Sequence, residues 1–212
     1  MQHIATFSRT LESYPSDMTD AELVQQILNG NSNAFRYLVS KNRQLVVHIV
    51  GRMVRKQEDV EDLCQEVFIK VYRNIRKFRG DSRLSTWIAS IAYNAGISFL
   101  RKQNRQNEVS LNDLTAAEAD QDSGFTAAGI ENKEVKEYML KLIEKLPVQY
   151  RTVLTLFHLE EFSYKEIEQI TAMPEGTIKS YLSRARKLLK DKMEQLVYNE
   201  KTNIFTGYVR QE

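Results

Sequence analysis

Turn-forming residues are scarce in this chain, with 8 Gly and 3 Pro among 212 residues. Glycine supplies the left-handed backbone of tight turns and proline pre-sets their first corner. A sandwich or barrel of many short strands therefore needs far more of both. A chain this poor in punctuation folds as helices with few connections. Its length suits one large domain or two small ones, and 42% apolar against 27% charged residues is enough to bury a core. One Cys excludes an intramolecular disulfide framework, and with only 3 scattered His it excludes finger-type zinc sites. No apolar run reaches the ~18–20 residues of a membrane span. The first 18 residues lack a basic region followed by an apolar stretch, so no secretory signal is read and the chain is expected in the cytoplasm.

The formal net charge is only +2, but the charges come in blocks. Residues 58–66 hold five acids and no base, and residues 76–105 hold seven bases against one acid. Residues 106–134 hold seven acids against one base, and residues 175–192 hold six bases against two acids. Alternating blocks predict two surfaces for anionic ligands and at least one surface for a cationic partner.

Residues 1–17 show no period and read as a loose tail. Thr19 or Asp20 caps a helix through Leu23, Ile27 and Leu28, broken at Gly30 and Asn31. Three longer helical stretches follow, at about 34–55, 60–75 and 84–102, with the polar loop FRGDSR (78–83) before the last. Residues 106–134 have no sustained period and read as a flexible acidic linker. The organisation expected is therefore all-α, with a helical domain at 18–105 and a second at 135–193. That second domain breaks at Pro147, at 160–162 and at 173–176. A tail at 194–212 has no assigned role.

Three helices have informative faces. In the third, Val60, Leu63, Cys64, Val67, Phe68, Val71, Tyr72 and Ile75 fall in one arc at 100° per residue and predict a core face. Ile69 stands in the opposite, polar arc among Asp62, Gln65 and Glu66. It reads either as a stray surface isoleucine or as the anchor of a partner-binding face. In the fourth helix, Ile88, Ile91, Ala92, Ala95 and Phe99 make the buried face. Beside it, Trp87, Asn94 and Arg101 form a stripe at steps of seven, flanked by Ser90 and Ser98. An aromatic, an amide and a guanidinium along one edge suit stacking and reading of an unpaired base, worth ~1–3 kcal/mol per stacked base. Trp87 also reads as half-buried core, and the two readings are compatible.

The sharpest signal lies near the end. SYKE (163–166) is a capping box, and AMPEG (172–176) makes a tight turn. The next helix buries Ile178, Leu182, Ala185 and Leu189 and presents Lys179, Ser180, Ser183, Arg184, Arg186, Lys187 and Lys190. A short helix, a tight turn and a basic helix with small polar residues near its start follow the logic of a helix-turn-helix. The competing reading is a solvated basic helix in a bundle.

Four segments taken together carry a family resemblance: DVEDLCQEVFIKVY (59–72), FRGDSRLSTWIASIAYNAGISFLRK (78–102), KLPVQYRTVLTL (145–156) and FSYKEIEQITAMPEGTIKSYLSRARKLLK (162–190). In this order they resemble the bacterial extracytoplasmic-function (ECF) sigma factors, which bind RNA polymerase core enzyme and direct it to promoters. The resemblance implies that the first domain is sigma region 2, a helical bundle, and the second is region 4, a helix-turn-helix. It implies that Asp59, Asp62, Gln65, Glu66, Ile69 and Arg73 meet the clamp helices of the largest catalytic polymerase subunit. It assigns recognition and melting of the −10 element to Arg79, Gly80, Asp81, Ser82, Arg83, Trp87, Asn94, Ser98, Arg101 and Lys102. It gives base reading in the −35 element to Lys179, Ser180, Ser183 and Arg184, with Thr177 beside them. Tyr164, Arg186 and Lys187 become phosphate contacts. An anti-sigma factor, often membrane-bound, is a further partner the resemblance implies. No cofactor or metal is expected.

Geometry supports a scaffolded protein. DNA elements two helical turns apart are ~70 Å apart. A flexible 29-residue linker has an r.m.s. span of ~30 Å, although its contour exceeds ~90 Å. Two domains joined this loosely rarely align on both elements unaided. Against an enzyme, there is no phosphate-cradling Gly loop, metal-ligand spacing or nucleophile motif; His3, His48 and His158 lie apart, and Cys64 reads as a small buried hydrophobe. A stand-alone helix-turn-helix repressor explains residues 135–193 but not the Ile69 face or the Trp87 stripe. A sigma mimic that sequesters an anti-sigma factor should have lost its basic faces, and these are intact.

Overall fold

The structure, a computed structural model, describes residues 18–106 and 140–208, with side chains through 105 and from 140 to 194. The tail expected at 1–17, the linker expected at 106–134 apart from Gln106, the start of the second domain and the side chains of the C-terminal tail lie outside the described residues. Every regular element among the described residues is helical.

Helix α1 (Asp20–Leu28) opens on a complete capping box: Thr19 Oγ1 accepts from the Glu22 N–H at 3.2 Å, and Glu22 Oε2 accepts from the Thr19 N–H at 2.8 Å. Gly30, at φ 84°, turns the chain into α2 (Ser32–Gly51), where the Asn31 side chain accepts from the Asn33 and Ala34 N–H groups. Helix α3 (Gln57–Asn74) and one 3₁₀ turn, Ile75–Lys77, lead to the polar loop, with Gly80 at φ 79°. Helix α4 (Leu84–Gln106) then crosses the bundle, and its first N–H donates to Asp20 Oδ2 at 2.7 Å. One acid of α1 thus caps another helix 64 residues away. Helices α2, α3 and α4 pack on one another around Leu38, Val46, Ile49, Val67, Val71 and Ile88, all fully buried.

In the second half, helical backbone at 140–144 precedes α5 (Val148–Leu154), which follows Pro147. A π-helical turn, Thr155–Leu159, continues it. Helix α6 (Tyr164–Thr171) and the long α7 (Glu175–Tyr208) follow. Their core joins Val153, Leu156, Ile167, Ile170, Ile178, Leu182 and Ala185.

Two expectations change. Tyr72, predicted on the core face, is 56% exposed. The buried arc of α3 is the narrower set Val60, Leu63, Val67 and Val71. Tyr72 lies 100° past Val71 and rests edge-on against Phe35, with ring centroids 4.9 Å apart. The second helical stretch ends at Gly51, yet Met53 and Val54 stay buried, because their N–H groups still bond to the Val50 carbonyl.

Candidate nucleic-acid and protein interfaces

Helix α3 turns Asp62, Gln65, Glu66, Ile69 and Arg73 to solvent, with Asp59 partly covered in its first turn. Ile69 is 49% exposed. Glu66 pairs with Lys70 at 2.7 Å, a surface contact of adjacent turns worth little on its own. Ile69, Tyr72 and the carboxylates therefore make an apolar-centred, acid-rimmed face with nothing of the described chain packed over it.

The polar loop and α4 form a second surface. Arg79, Gly80, Asp81 and Arg83 are exposed and Ser82 is partly so. Trp87 is half-buried and tilts against Phe78, with centroids 5.7 Å apart. One edge of Trp87 therefore packs against the core, as the half-buried reading expected, and the other is left accessible. Phe78 extends the aromatic platform and was not singled out in the sequence, although it sits directly before the loop. Asn94, Ser98, Arg101 and Lys102 are exposed along α4. Ser98 Oγ donates to the Asn94 carbonyl at 2.8 Å, so its proton is engaged by the helix backbone.

The third surface is a helix-turn-helix. Ser163 Oγ accepts from the Glu166 N–H at 3.3 Å, and Glu166 Oε2 accepts from the Ser163 N–H at 3.0 Å, completing the expected capping box. Ala172 ends α6 in the left-handed region, φ 57°. The Pro174 carbonyl accepts the first bonds of α7 from Thr177 and Ile178. Thr177 is partly buried, while Lys179, Ser180, Ser183, Arg184, Arg186 and Lys187 are exposed. A row of rings organises these cations. Lys179 sits 5.2 Å from the Tyr164 ring centroid, Tyr164 stacks on Phe157 at 5.0 Å, and Arg186 covers Phe157 at 5.7 Å. Lys179 also pairs with Glu175 at 2.7 Å, and this hydrogen bond raises the ammonium above its ordinary value. Arg186 donates to His158 Nε2 at 3.2 Å; burial, then the Arg186 charge, lower the imidazole. Phe157 and His158 were missed because the π turn that presents them has no sequence signature.

The two halves, expected to be loosely joined, touch at two places. Arg83 Nε donates to Glu166 Oε1 at 2.7 Å and Thr86 Oγ1 donates to the same oxygen at 3.1 Å. The Arg83 guanidinium also lies 5.5 Å from the Phe162 ring. At the second place, His48 pairs with Glu160 and Arg52 Nε donates to Thr155 Oγ1 at 3.2 Å. Buried Arg151 there donates to the Arg52 carbonyl and, at 2.8 Å, to the Glu144 carbonyl. Burial, then the charges of Arg55 and Arg52, lower Arg151 to about 10, which leaves it charged at neutral pH. His48 is thus an inter-domain contact.

Comparison with known proteins matches this architecture on both halves. Residues 38–106 match the family model Sigma-70 region 2, and residues 136–189 match Sigma-70, region 4. The chain is 36% identical over 188 residues to the ECF RNA polymerase sigma-E factor of Escherichia coli K12, an alignment covering 85% of this chain and 97% of that protein. It is 34% identical over 190 residues to the sigma-E factor of Haemophilus influenzae, covering 85% and 98%. Among solved structures, it shares its fold with the sigma factor RpoE of Bartonella quintana, crystallised with the anti-sigma factor NepR (TM-score 0.58, 24% identity, covering 76% of this chain and 96% of that one). It likewise resembles CnrH in complex with the cytosolic domain of CnrY (TM-score 0.58, 17% identity, covering 82% and 96%). A helical bundle with an acid-rimmed apolar face and a basic aromatic loop, followed by a helix-turn-helix, carries both family models in order, and with these relatives it makes the chain a member of the ECF sigma factors of RNA polymerase.

Proposed function

We propose that this chain binds bacterial RNA polymerase core enzyme and directs it to promoters, acting in the cytoplasm. Helix α3 is the polymerase-binding element: Ile69 docks on the clamp helices of the largest catalytic subunit, and Asp59, Asp62, Gln65 and Glu66 meet basic groups around it. The loop at 78–83 and the α4 stripe of Trp87, Asn94 and Arg101 capture the melted −10 strand. The start of α7 enters the −35 major groove, where Lys179, Ser180, Ser183 and Arg184 face the bases. An anti-sigma factor is a further expected partner, as the sigma factor RpoE of Bartonella quintana was crystallised with one.

The observation that carries this reading is the coexistence in one chain of a basic helix-turn-helix and an exposed, acid-rimmed Ile69 face. DNA binding alone has no use for the second. The test is run-off transcription with purified core polymerase on genomic fragments. Start sites that appear only with this protein, and disappear on Ile69→Glu, support it. Tight duplex binding without polymerase and no new start sites would replace it with a stand-alone repressor.

A further inference from the structure

Glu175 opens α7, so the helix proposed to enter the major groove begins with an acid. One turn later stands Lys179, and Glu175 Oε1 lies 2.7 Å from its ammonium. That contact uses one carboxylate oxygen and leaves Oε2 to accept from elsewhere. Both side chains stay open to solvent, 41% for Glu175 and 56% for Lys179. The Tyr164 ring holds the ammonium from a second side, with its centroid 5.2 Å away. At 100° per residue, Glu175, Lys179 and Ser183 follow one another along one stripe of α7. Ser183, on the next turn, is too short to cover the ammonium. The pair is therefore exposed and held in place before any DNA arrives.

An acid in a first turn favours the helix N-terminus, and that role is open to Glu175 as well. It does not explain why the acid is joined to a base-reading lysine. A lone carboxylate at this end of the helix opposes DNA. Phosphates repel it, and N7 and O6 of guanine, N7 of adenine and O4 of thymine are all acceptors. Only the amino groups of cytosine and adenine donate to it in the major groove. Pairing with Lys179 cancels the charge and sets a donor beside an acceptor. Two base-pair edges complement such a unit. In an A·T pair, adenine N6 lies beside thymine O4, but the carboxylate then meets N7 of the same adenine and the ammonium meets the thymine methyl group. In a G·C pair, guanine presents both N7 and O6 to the ammonium, and the neighbouring cytosine N4 is a donor for the carboxylate.

We propose that Glu175 and Lys179 read one G·C base pair of the −35 duplex as a unit, the carboxylate accepting from cytosine N4 and the ammonium donating to guanine O6. Glu175 is thereby a specificity-determining residue, and a wrong base leaves its carboxylate facing an acceptor. The proposal rests on the −35 reading of α7 and deepens it by naming the base pair.

The test selects promoter duplexes randomised across the −35 element by transcription with holoenzyme, using the unmodified full chain, Glu175→Gln and Glu175→Ala. The unmodified protein should favour a G·C pair, in one orientation, at least ~10-fold at one position. Glu175→Gln should lose that preference and favour adenine where cytosine stood, because glutamine bonds to adenine N6 and N7. The other positions should keep their order. Glu175→Ala should lose the preference without gaining adenine, with circular dichroism confirming that helix content is kept. Unchanged preferences in both variants, or an equal fall on every sequence, would overturn the proposal and leave Glu175 as a helix-start acid. If no sequence is transcribed, the sigma reading fails. Selecting the same pool by binding to the full chain alone then decides Glu175 by the same base preferences, and a pool from which nothing binds overturns both.

Discussion

Replacing Gly96 with Ala in α4 should destabilise the first domain, against the usual benefit of Ala in a helix. A Cβ at this position would stand 2.2 Å from Met53 Sδ, with Met53 Cγ at 3.4 Å and Cβ at 3.5 Å. Carbon and sulfur need well over 3 Å, so the sulfur must retreat by more than an ångström. Met53 is 2% exposed, and the space around it is packed core. Ala gains ~1 kcal/mol in helix propensity over Gly. Overpacking of this severity costs ~3 kcal/mol, which leaves a net loss of ~2 kcal/mol. For a unit of this size that lowers Tm by roughly 8–16 °C. Urea unfolding followed by fluorescence of Trp87, the single Trp in the chain, reads the first domain selectively. The decisive comparison is a double-mutant cycle. Met53→Ala alone should cost ~2–5 kcal/mol, and in that background Gly96→Ala should become stabilising by ~1 kcal/mol. A Gly96→Ala cost that is the same in both backgrounds, or a stabilisation in the native one, would refute the contact as its cause.

Ala172→Gly relieves a left-handed residue at φ 57° and should stabilise the second domain by ~1 kcal/mol, seen as a higher denaturant midpoint with unchanged slope. Ile69→Glu should weaken core polymerase binding about tenfold, near 1.4 kcal/mol, while folding stability stays within about 0.5 kcal/mol because the side chain is already exposed. Lys179→Ala should cost ~1–3 kcal/mol of discrimination in −35 duplex binding by holoenzyme and leave helix content unchanged, since its Glu175 and Tyr164 contacts are at the surface. Burial raises the Cys64 thiol to about 11, opposed by Arg43 and reinforced by Glu61. The thiolate is the reactive form, so iodoacetamide should alkylate the folded chain at pH 8 at least ~10-fold more slowly than the unfolded one, with the rate still rising above pH 9.

What the sequence made legible was local chemistry. Thr19 with Glu22, and Ser163 with Glu166, announce helix starts because a hydroxyl and a carboxylate three residues apart satisfy backbone donors within one turn. The burial of Ile178, Leu182, Ala185 and Leu189 follows from helical period alone. Tyr72 escaped the same logic because a flanking position is buried only if a neighbouring element reaches it, and Phe35 covers just one edge of the ring. Phe157 and His158 escaped because a π turn rotates side chains away from the α period.

Glu166 shows where that legibility stops. One oxygen does what SYKE announces, bonding to Ser163 three residues away, and the other bonds to Arg83 at a separation of 83 residues. Periodicity carries no information about the second bond, since it depends on how the two halves meet. Yet the bond leaves a physical trace. Burial acts to raise the Glu166 carboxyl, but hydrogen bonds from Ser163, Arg83 and Thr86 outweigh it and hold the group below its ordinary value of 4.5. A lowered carboxyl contributes stability that is complete above the unfolded value and is lost as pH falls through the folded one. The capping share of that stability belongs to the second domain alone, whereas the Arg83 and Thr86 share exists only while the halves touch. The acid limb of unfolding should therefore shift when the two domains are separated, although no residue in either has been changed.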